Sequence, residues 1–245
     1  MTTASPFPVS TSLPEVSRTQ MQEVDRLMIE EYEISLFQMM ENAGRALAIV
    51  ARDMFLGGDA TGKRVLVLTG SGGNAGGALT AARRLAIWGA QIDLGMARAP
   101  DALTPVPRQQ HKILHRVAAP AVHLPDALPP CDLIIDGLIG YSLNGVPRGK
   151  TAAYIDAVNT ADAPVLSLDV PSGYDAATGR TLAPSIMASA TLTLALPKTG
   201  MQGATTVGQL LCADISVPPG LYAALGLPAG YAEMFRLGDI VSVAP

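Results

Sequence analysis

The residues equipped for chemistry lie in a few short segments. Asp136 closes the apolar run Leu133-Ile134-Ile135, and Asp169 closes Val165-Leu166-Ser167-Leu168. A carboxylate at the end of a buried strand is costly unless it meets N–H groups, a cation or a polar ligand. Asp169 suits general acid–base work, or forms an Asx turn that fixes its own loop. Asp136 and Ser172 supply hard oxygen ligands, which suit a monovalent or hard divalent cation rather than zinc. Loop capping is the other role open to Asp136. Lys198, in Leu196-Pro197-Lys198-Thr199-Gly200, either neutralises a phosphate as a point charge or stands exposed in a turn. Arg148, just ahead of a predicted helix, is placed to reach phosphate.

A glycine loop adds a second kind of chemistry. Gly70, Gly72, Gly73, Gly76 and Gly77 follow an apolar strand and lead into an alanine-rich helix predicted over 76–89. Backbone N–H groups and the helix N-terminus there can face an anion, with the amide of Asn74 beside them. The alternative is a tight turn that uses glycine for close packing. No Gly-Lys-Ser/Thr follows, so the loop is not a Walker loop. Ala75 stands at the third glycine of a GxGxxG pattern, and Asp93 falls inside the next strand rather than at its end. His111 and His115 are four apart on one helical face and read as a solvent-facing pair, since no acidic ligand completes a metal site. His123 falls in a Pro-rich loop, and Gly140-Tyr141-Ser142-Leu143-Asn144 lacks the second glycine of a nucleophile elbow.

Positioning these segments requires a layered frame. Ser17 caps a helix with Gln20 at the capping-box position and Met21, Val24, Leu27 and Met28 at helical spacing. A second helix is predicted from Ser35 to about Met54. Strands then alternate with helices: strands at 65–69, 91–96, 133–136, 165–169, 191–195 and 209–214, helices at 76–89, 105–116 and 149–161. Near-continuous apolar strands between helices predict an α/β fold with a mainly parallel sheet covered on both faces. The polar and glycine positions fall at the C-terminal ends of four strands, where open α/β sheets bind ligands. Residues 1–16, rich in Ser, Thr and Pro, read as a flexible arm, and 17–245 as a single domain.

Composition narrows the classes. The chain has 245 residues, 49% hydrophobic, 16% charged and 4% aromatic, with a net charge of −4. That charge gives no general attraction for nucleic acid. Cys131 and Cys212 sit in apolar surroundings and read as buried thiols. The N-terminus has no secretory pattern and no stretch is long and apolar enough to span a membrane, so a cytoplasmic protein is expected.

Five separated elements in order resemble the YjeF N-terminal domain family, which contains the NAD(P)H-hydrate epimerases. They are Gln22…Asp25 followed by Met39-Met40-Glu41-Asn42-Ala43-Gly44; Thr69 to Gly77; Asp136-Gly137-Leu138-Ile139-Gly140 to Gly145; Leu168-Asp169-Val170-Pro171-Ser172-Gly173; and Leu194 to Gly200. The resemblance spans about 17–215. It implies a three-layer α/β/α Rossmann-like sandwich, often dimeric, that interconverts the R and S forms of hydrated NADH or NADPH. Nucleotide contacts would come from Gly73, Asn74, Ala75, Gly76, Gly77 and Ala78, from Gly140, Tyr141, Ser142, Leu143, Asn144, Gly145 and Val146, and from Asp169. Asp169 and Lys198 would be the catalytic residues, Asp169 as the acid–base group and Lys198 near the pocket. Asp136, Ser172 and the position of Ala75 would hold potassium. Glu41 and Asn42 would begin the wall made by the N-terminal helices. A separate ATP- or ADP-dependent dehydratase would act on the S form, since the chain is too short to contain one.

The family loop reads Asn-Asn-Gly-Gly-Asp-Gly. Set against 74–79, it places Ala75 at a potassium-binding asparagine and Ala78 at the aspartate. Two polar functions are then absent, while Asp136, Asp169 and Ser172 remain. A catalytically inactive nucleotide-binding or interaction module of the same fold, and a different small-molecule enzyme, are the alternatives.

Overall fold

The structure, a computed structural model, describes residues 5–10, 13–227, 233–236 and 238–244. In chain order the elements are β1 (Val9–Ser10), α1 (Arg18–Glu30), α2 (Leu36–Val50), β2 (Arg64–Thr69), α3 (Gly73–Ile87), β3 (Gln91–Met96), α4 (Pro105–Val117), β4 (Ala121–His123) and β5 (Leu133–Gly137). There follow α5 (Gly149–Asn159), β6 (Val165–Leu168), β7 (Tyr174–Asp175), β8 (Arg180–Thr181), β9 (Ala190–Leu194), β10 (Gln209–Ala213), α6 (Pro219–Ala224) and β11 (Ile240–Val243). Nine strands form one sheet in the order β1-β11-β10-β9-β6-β5-β2-β3-β4, parallel except where β11 runs antiparallel to β10. β7 and β8 make a separate small hairpin.

Period-2 alternation builds both cores. In β2, Val65 and Val67 pack under α2 and α3, while Leu66 and Leu68 face Tyr154, Ile155 and Val158 of α5. The α5 side of β10 and β11 is covered with Val170, Tyr174 and Met201. The molecule is therefore a three-layer α/β/α Rossmann-like sandwich. Both N-terminal helices open with the capping box read in the sequence, Ser17 with Gln20 and Ser35 with Gln38. α2 ends at Val50 and a π-turn over Ala51–Phe55 continues toward the expected end.

Several expectations are corrected. The segment 1–16 is not a loose arm where it is described. Val9 and Ser10 pair with β11, and Leu13 and Val16 are buried. Val16 exchanges backbone hydrogen bonds with Pro197 and Thr199, and Glu15 accepts from the N–H of Gly200. The apolar side chains and edge hydrogen bonds hold it; residues 1–4, 11 and 12 lie outside the described residues. α3 begins at Gly73, three residues before the expected start, so Gly73, Gly76 and Gly77 of the glycine loop are helix. β4 places His123 on an edge strand, where its ring meets Asp93 at 2.9 Å. β11 lies beyond 209–214, the last strand expected from the sequence.

Candidate active site

The C-terminal ends of β2, β5 and β6 open into one cavity of about 850 Å³. Gly70 brings two of these segments together: a Cβ there would lie 2.0 Å from the carbonyl oxygen of Leu138. The cavity wall includes Gly73, Asn74, Gly77, residues 140–146 and Asp169, with Arg98 and Arg148 at the rim. α1 and α2 close the other side through Met21, Asp25, Met39 and Met40.

Ala75, Gly76 and Ala78 do not line the cavity. Because α3 has already started, its turn carries them inward. Ala75 and Ala78 are fully buried, and a Cβ at Gly76 would lie 2.1 Å from Sδ of Met40. Gly76 thus serves the packing of α2 on α3. The N-terminal end of α3 does reach the cavity. Its N-cap, Gly72, supplies no side-chain hydrogen bond, so the first N–H groups are free to meet an anion. The side chain of Asn74 donates to the carbonyl oxygen of Leu168 at 2.9 Å, on the wall shared with Gly140 and Asp169.

Asp169 follows β6 with φ +68, a left-handed conformation that Asp tolerates better than most residues. Its own N–H is held by the carbonyl of Leu192 at 2.8 Å. The carboxylate is 3% exposed as a residue, yet it lies on the cavity wall. Oδ2 accepts from the backbone N–H of Tyr141 at 3.0 Å, and Oδ1 receives the ammonium of Lys198. Lys198 is completely buried and also donates to Leu194 O at 2.8 Å and Thr193 Oγ1 at 3.2 Å. All three of its N–H bonds are used. The expected phosphate contact or exposed turn for Lys198 is therefore replaced by a buried ion pair. Lys198 does not line the cavity and reaches it only through Asp169.

Asp136 and Ser172, the expected cation ligands, are buried off the cavity and bonded to each other. Asp136 accepts from Ser172 Oγ at 2.6 Å, Ser172 N at 2.8 Å, Ser167 Oγ at 2.9 Å and Leu138 N at 3.2 Å. Burial raises its carboxyl above the ordinary range, and those donors oppose the rise. With both oxygens already engaged, Asp136 is the clasp of the β5 and β6 loops. No group of three or more His, Cys, Asp or Glu able to hold a metal occurs among the described residues.

The cavity also contains a residue to which the sequence reading gave no role. Asp25 of α1 accepts a hydrogen bond from the Tyr141 hydroxyl at 2.5 Å. The available signal was its place directly after Val24, at the border of the buried Met21, Val24 and Met28 stripe. Arg18 on the same helix donates to Leu143 O at 2.9 Å, so α1 holds the 140–146 loop at two points. Glu41, expected on the wall, instead binds Arg83 at 2.7 Å and Gln110 at 2.9 Å behind it, while Asn42 donates to Ser216. The rings of His111 and His115 lie 4.3 Å apart, tilted by 52°, and both residues are half-buried rather than solvent-facing. Cys131 and Cys212 are free thiols, the first half-buried and the second buried.

Comparison with known proteins agrees with this architecture. Residues 36–200 match the model of the YjeF-related protein N-terminus. An NAD(P)H-hydrate epimerase of Dehalogenimonas lykanthroporepellens is 42% identical over 225 residues, covering 90% of this chain and 89% of its own. A bifunctional NAD(P)H-hydrate repair enzyme of Moorella thermoacetica is 33% identical over 85% of this chain, which spans 41% of that longer protein. The crystal structure of yeast ynu0 (YNL200c) superposes with a TM-score of 0.77 at 23% identity, over 94% of this chain and all of the yeast one, and so shares the fold. No helix among the described residues is long and apolar enough to cross a membrane. The matched segment holds the glycine loop, both buried aspartates and Lys198, and the chain belongs to the YjeF-related protein N-terminus family.

Proposed function

We propose that this chain epimerises the hydroxyl-bearing carbon of hydrated NADH and NADPH. The observation that carries the reading is the ion-paired Asp169 on the wall of a cavity that also receives the N-terminus of α3. The cavity is large enough for a nucleotide. The amides at the start of α3 and the guanidinium groups of Arg98 and Arg148 suit phosphates, leaving the reacting ring for the Asp169 end.

The reacting carbon carries a hydroxyl beside the ring nitrogen. Loss of that hydroxyl as water leaves an iminium cation, and return of water to the other face inverts the centre. Asp169, held by Lys198 and the Tyr141 N–H, supplies a fixed negative charge for the cation. Potassium enters no step. The residues expected to hold it do not form an open site, because a cation at Asp136 must displace the Ser172 hydroxyl or the Leu138 N–H, and the Ala75 side chain has no donor atom. If the family loop is set one residue earlier, its second asparagine falls on Asn74, whose amide does face the cavity.

The same proposal places the protein in the cytoplasm, as a homodimer that works with a separate ATP- or ADP-dependent dehydratase acting on the S form. The repair activities combined in the longer Moorella relative support that coupling. Met21, Met28, Met39 and Met40 of the N-terminal helices are buried within the protomer, whereas Ile29 and Tyr32 of the same region are exposed.

The test is R-to-S conversion of purified hydrated NADH and NADPH, followed by chromatography that resolves the epimers. Conversion well above the spontaneous rate, lost in Asp169→Asn, is expected. A folded wild-type protein that binds the nucleotides but leaves the spontaneous rate unchanged would overturn the proposal in favour of an inactive binding module.

A further inference from the structure

Two carboxyl groups, not one, line the inner end of the cavity. Asp169 is the anionic half of a buried ion pair, and both of its oxygens are occupied by fixed donors. It has no proton of its own to give while Lys198 stays on it. Asp25 differs in every respect that matters for proton transfer. No cation pairs with it among the described residues, and its single side-chain hydrogen bond is the one it accepts on Oδ2 from the Tyr141 hydroxyl at 2.5 Å. Its Oδ1 is uncommitted, and the residue lines the cavity.

Tyr141 joins the two groups. Its backbone N–H is on Asp169 and its hydroxyl is on Asp25, so one residue fixes both carboxyls relative to the same loop. We infer that Asp25 is the proton-carrying second carboxyl of the site, giving its proton to the departing hydroxyl while Asp169 remains the anion that faces the cationic ring. The inference rests on the epimerase reading above and assigns the acid that Asp169, held by Lys198, does not supply.

The step balances without an oxidant or reductant. The Oδ1 proton of Asp25 passes to the hydroxyl oxygen, the carbon–oxygen pair leaves as water, and the ring nitrogen lone pair forms the C=N bond. Water then adds to the opposite face, the π pair returns to nitrogen, and the surplus proton of the added water passes to solvent. Asp25 recovers a proton from solvent through the open cavity.

The surroundings favour this division. Burial pushes the Asp25 carboxyl above the ordinary range, and the charge of Asp169 adds to the rise; the Tyr141 hydrogen bond and the Lys198 ammonium oppose it. These are the titratable and charged groups that act on Asp25 from the 140–146 loop, the end of β6 and the turn after β9. Neighbouring carboxyls held in opposite protonation states are the usual basis of an acid and anion pair.

The experiment compares wild type, Asp25→Asn, Asp25→Glu and Tyr141→Phe for epimerisation across pH, with nucleotide binding by thermal shift and thermal midpoints measured on the same preparations. Asp25→Asn should lose about 100-fold or more in kcat while still binding nucleotide, and Asp25→Glu should recover part of that loss. In wild type, kcat should fall as pH rises through the Asp25 titration. Tyr141→Phe removes a hydrogen bond that lowers the Asp25 pKa, so the alkaline limb should move to higher pH, a shift that a merely structural role would not produce. Asp25→Asn within about threefold of an active wild type, or a limb unmoved in Tyr141→Phe, overturns the inference and leaves the epimerase reading standing. An inert wild type overturns both.

Discussion

Two aspartates end neighbouring parallel strands, and they do opposite things. Asp136 at β5 is surrounded by hydroxyl and backbone donors, has every acceptor position engaged, and stays off the cavity. Asp169 at β6 is nearly as buried, but its principal partner is an ammonium group and its edge lies on the cavity wall. Neutral donors from three different segments turn the first into a clasp that fixes loops. A single cation behind the second leaves a directed negative charge facing an open space. The identity of the partner and access to the cavity separate the two roles, although the sequence signal is the same: an acid after an apolar strand.

Substitutions can break that contrast. The largest effect should fall on activity: Asp169→Asn reduces epimerisation by about 100-fold or more, whereas Asp136→Asn in protein shown to be folded leaves turnover within about tenfold. The opposite ranking would sink the contrast. Stability should show a different pattern. Asp169→Asn strands the buried Lys198 ammonium and should cost about 3–5 kcal/mol in denaturant unfolding. Adding Lys198→Met should recover much of that cost without restoring turnover, because the stranded charge is removed but the anion is not replaced. Asp136→Asn faces several buried donors with an amide and should cost about 2–4 kcal/mol, with no partner substitution able to relieve it. The smallest effects should come from the rim. Arg98→Ala should weaken nucleotide binding several-fold, more at low salt than at high, with stability changed by no more than about 0.5 kcal/mol. Equal loss at all salt concentrations would remove Arg98 from phosphate recognition.

The sequence carried the local parts of this site well. The apolar strands, the glycine-rich entry to α3 and the polar residues at strand ends can all be read from runs of a few residues, and these place Asp169 and the 140–146 loop at the C-terminal end of the sheet. What escaped depends on pairs distant in sequence. Lys198 reads as a turn or phosphate-facing lysine because its ion-pair partner, Asp169, is brought to it only by the β6–β9 pairing. Asp25 meets Tyr141 across the gap between a helix and a loop far along the chain. Ala75 reads as a lost ligand because a loop was expected there; once α3 starts at Gly73, the residue turns into the interior. The segment 1–16 looked disordered by composition, yet the short runs at Val9–Ser10 and Leu13–Val16 find a sheet edge and a turn to bind.

The pairing of β1 with β11 also sets an order of events during synthesis. Every residue assigned to the cavity, from Met21 onward, with Lys198 behind Asp169, is made before Ile240–Val243. A nascent chain can thus bring its cavity together while β10 still exposes an unpaired edge and Val9 has no strand to join. That interval carries a risk, because an open edge is a template for another molecule's strand. β11 closes that edge, and it is made long after the residues of the cavity.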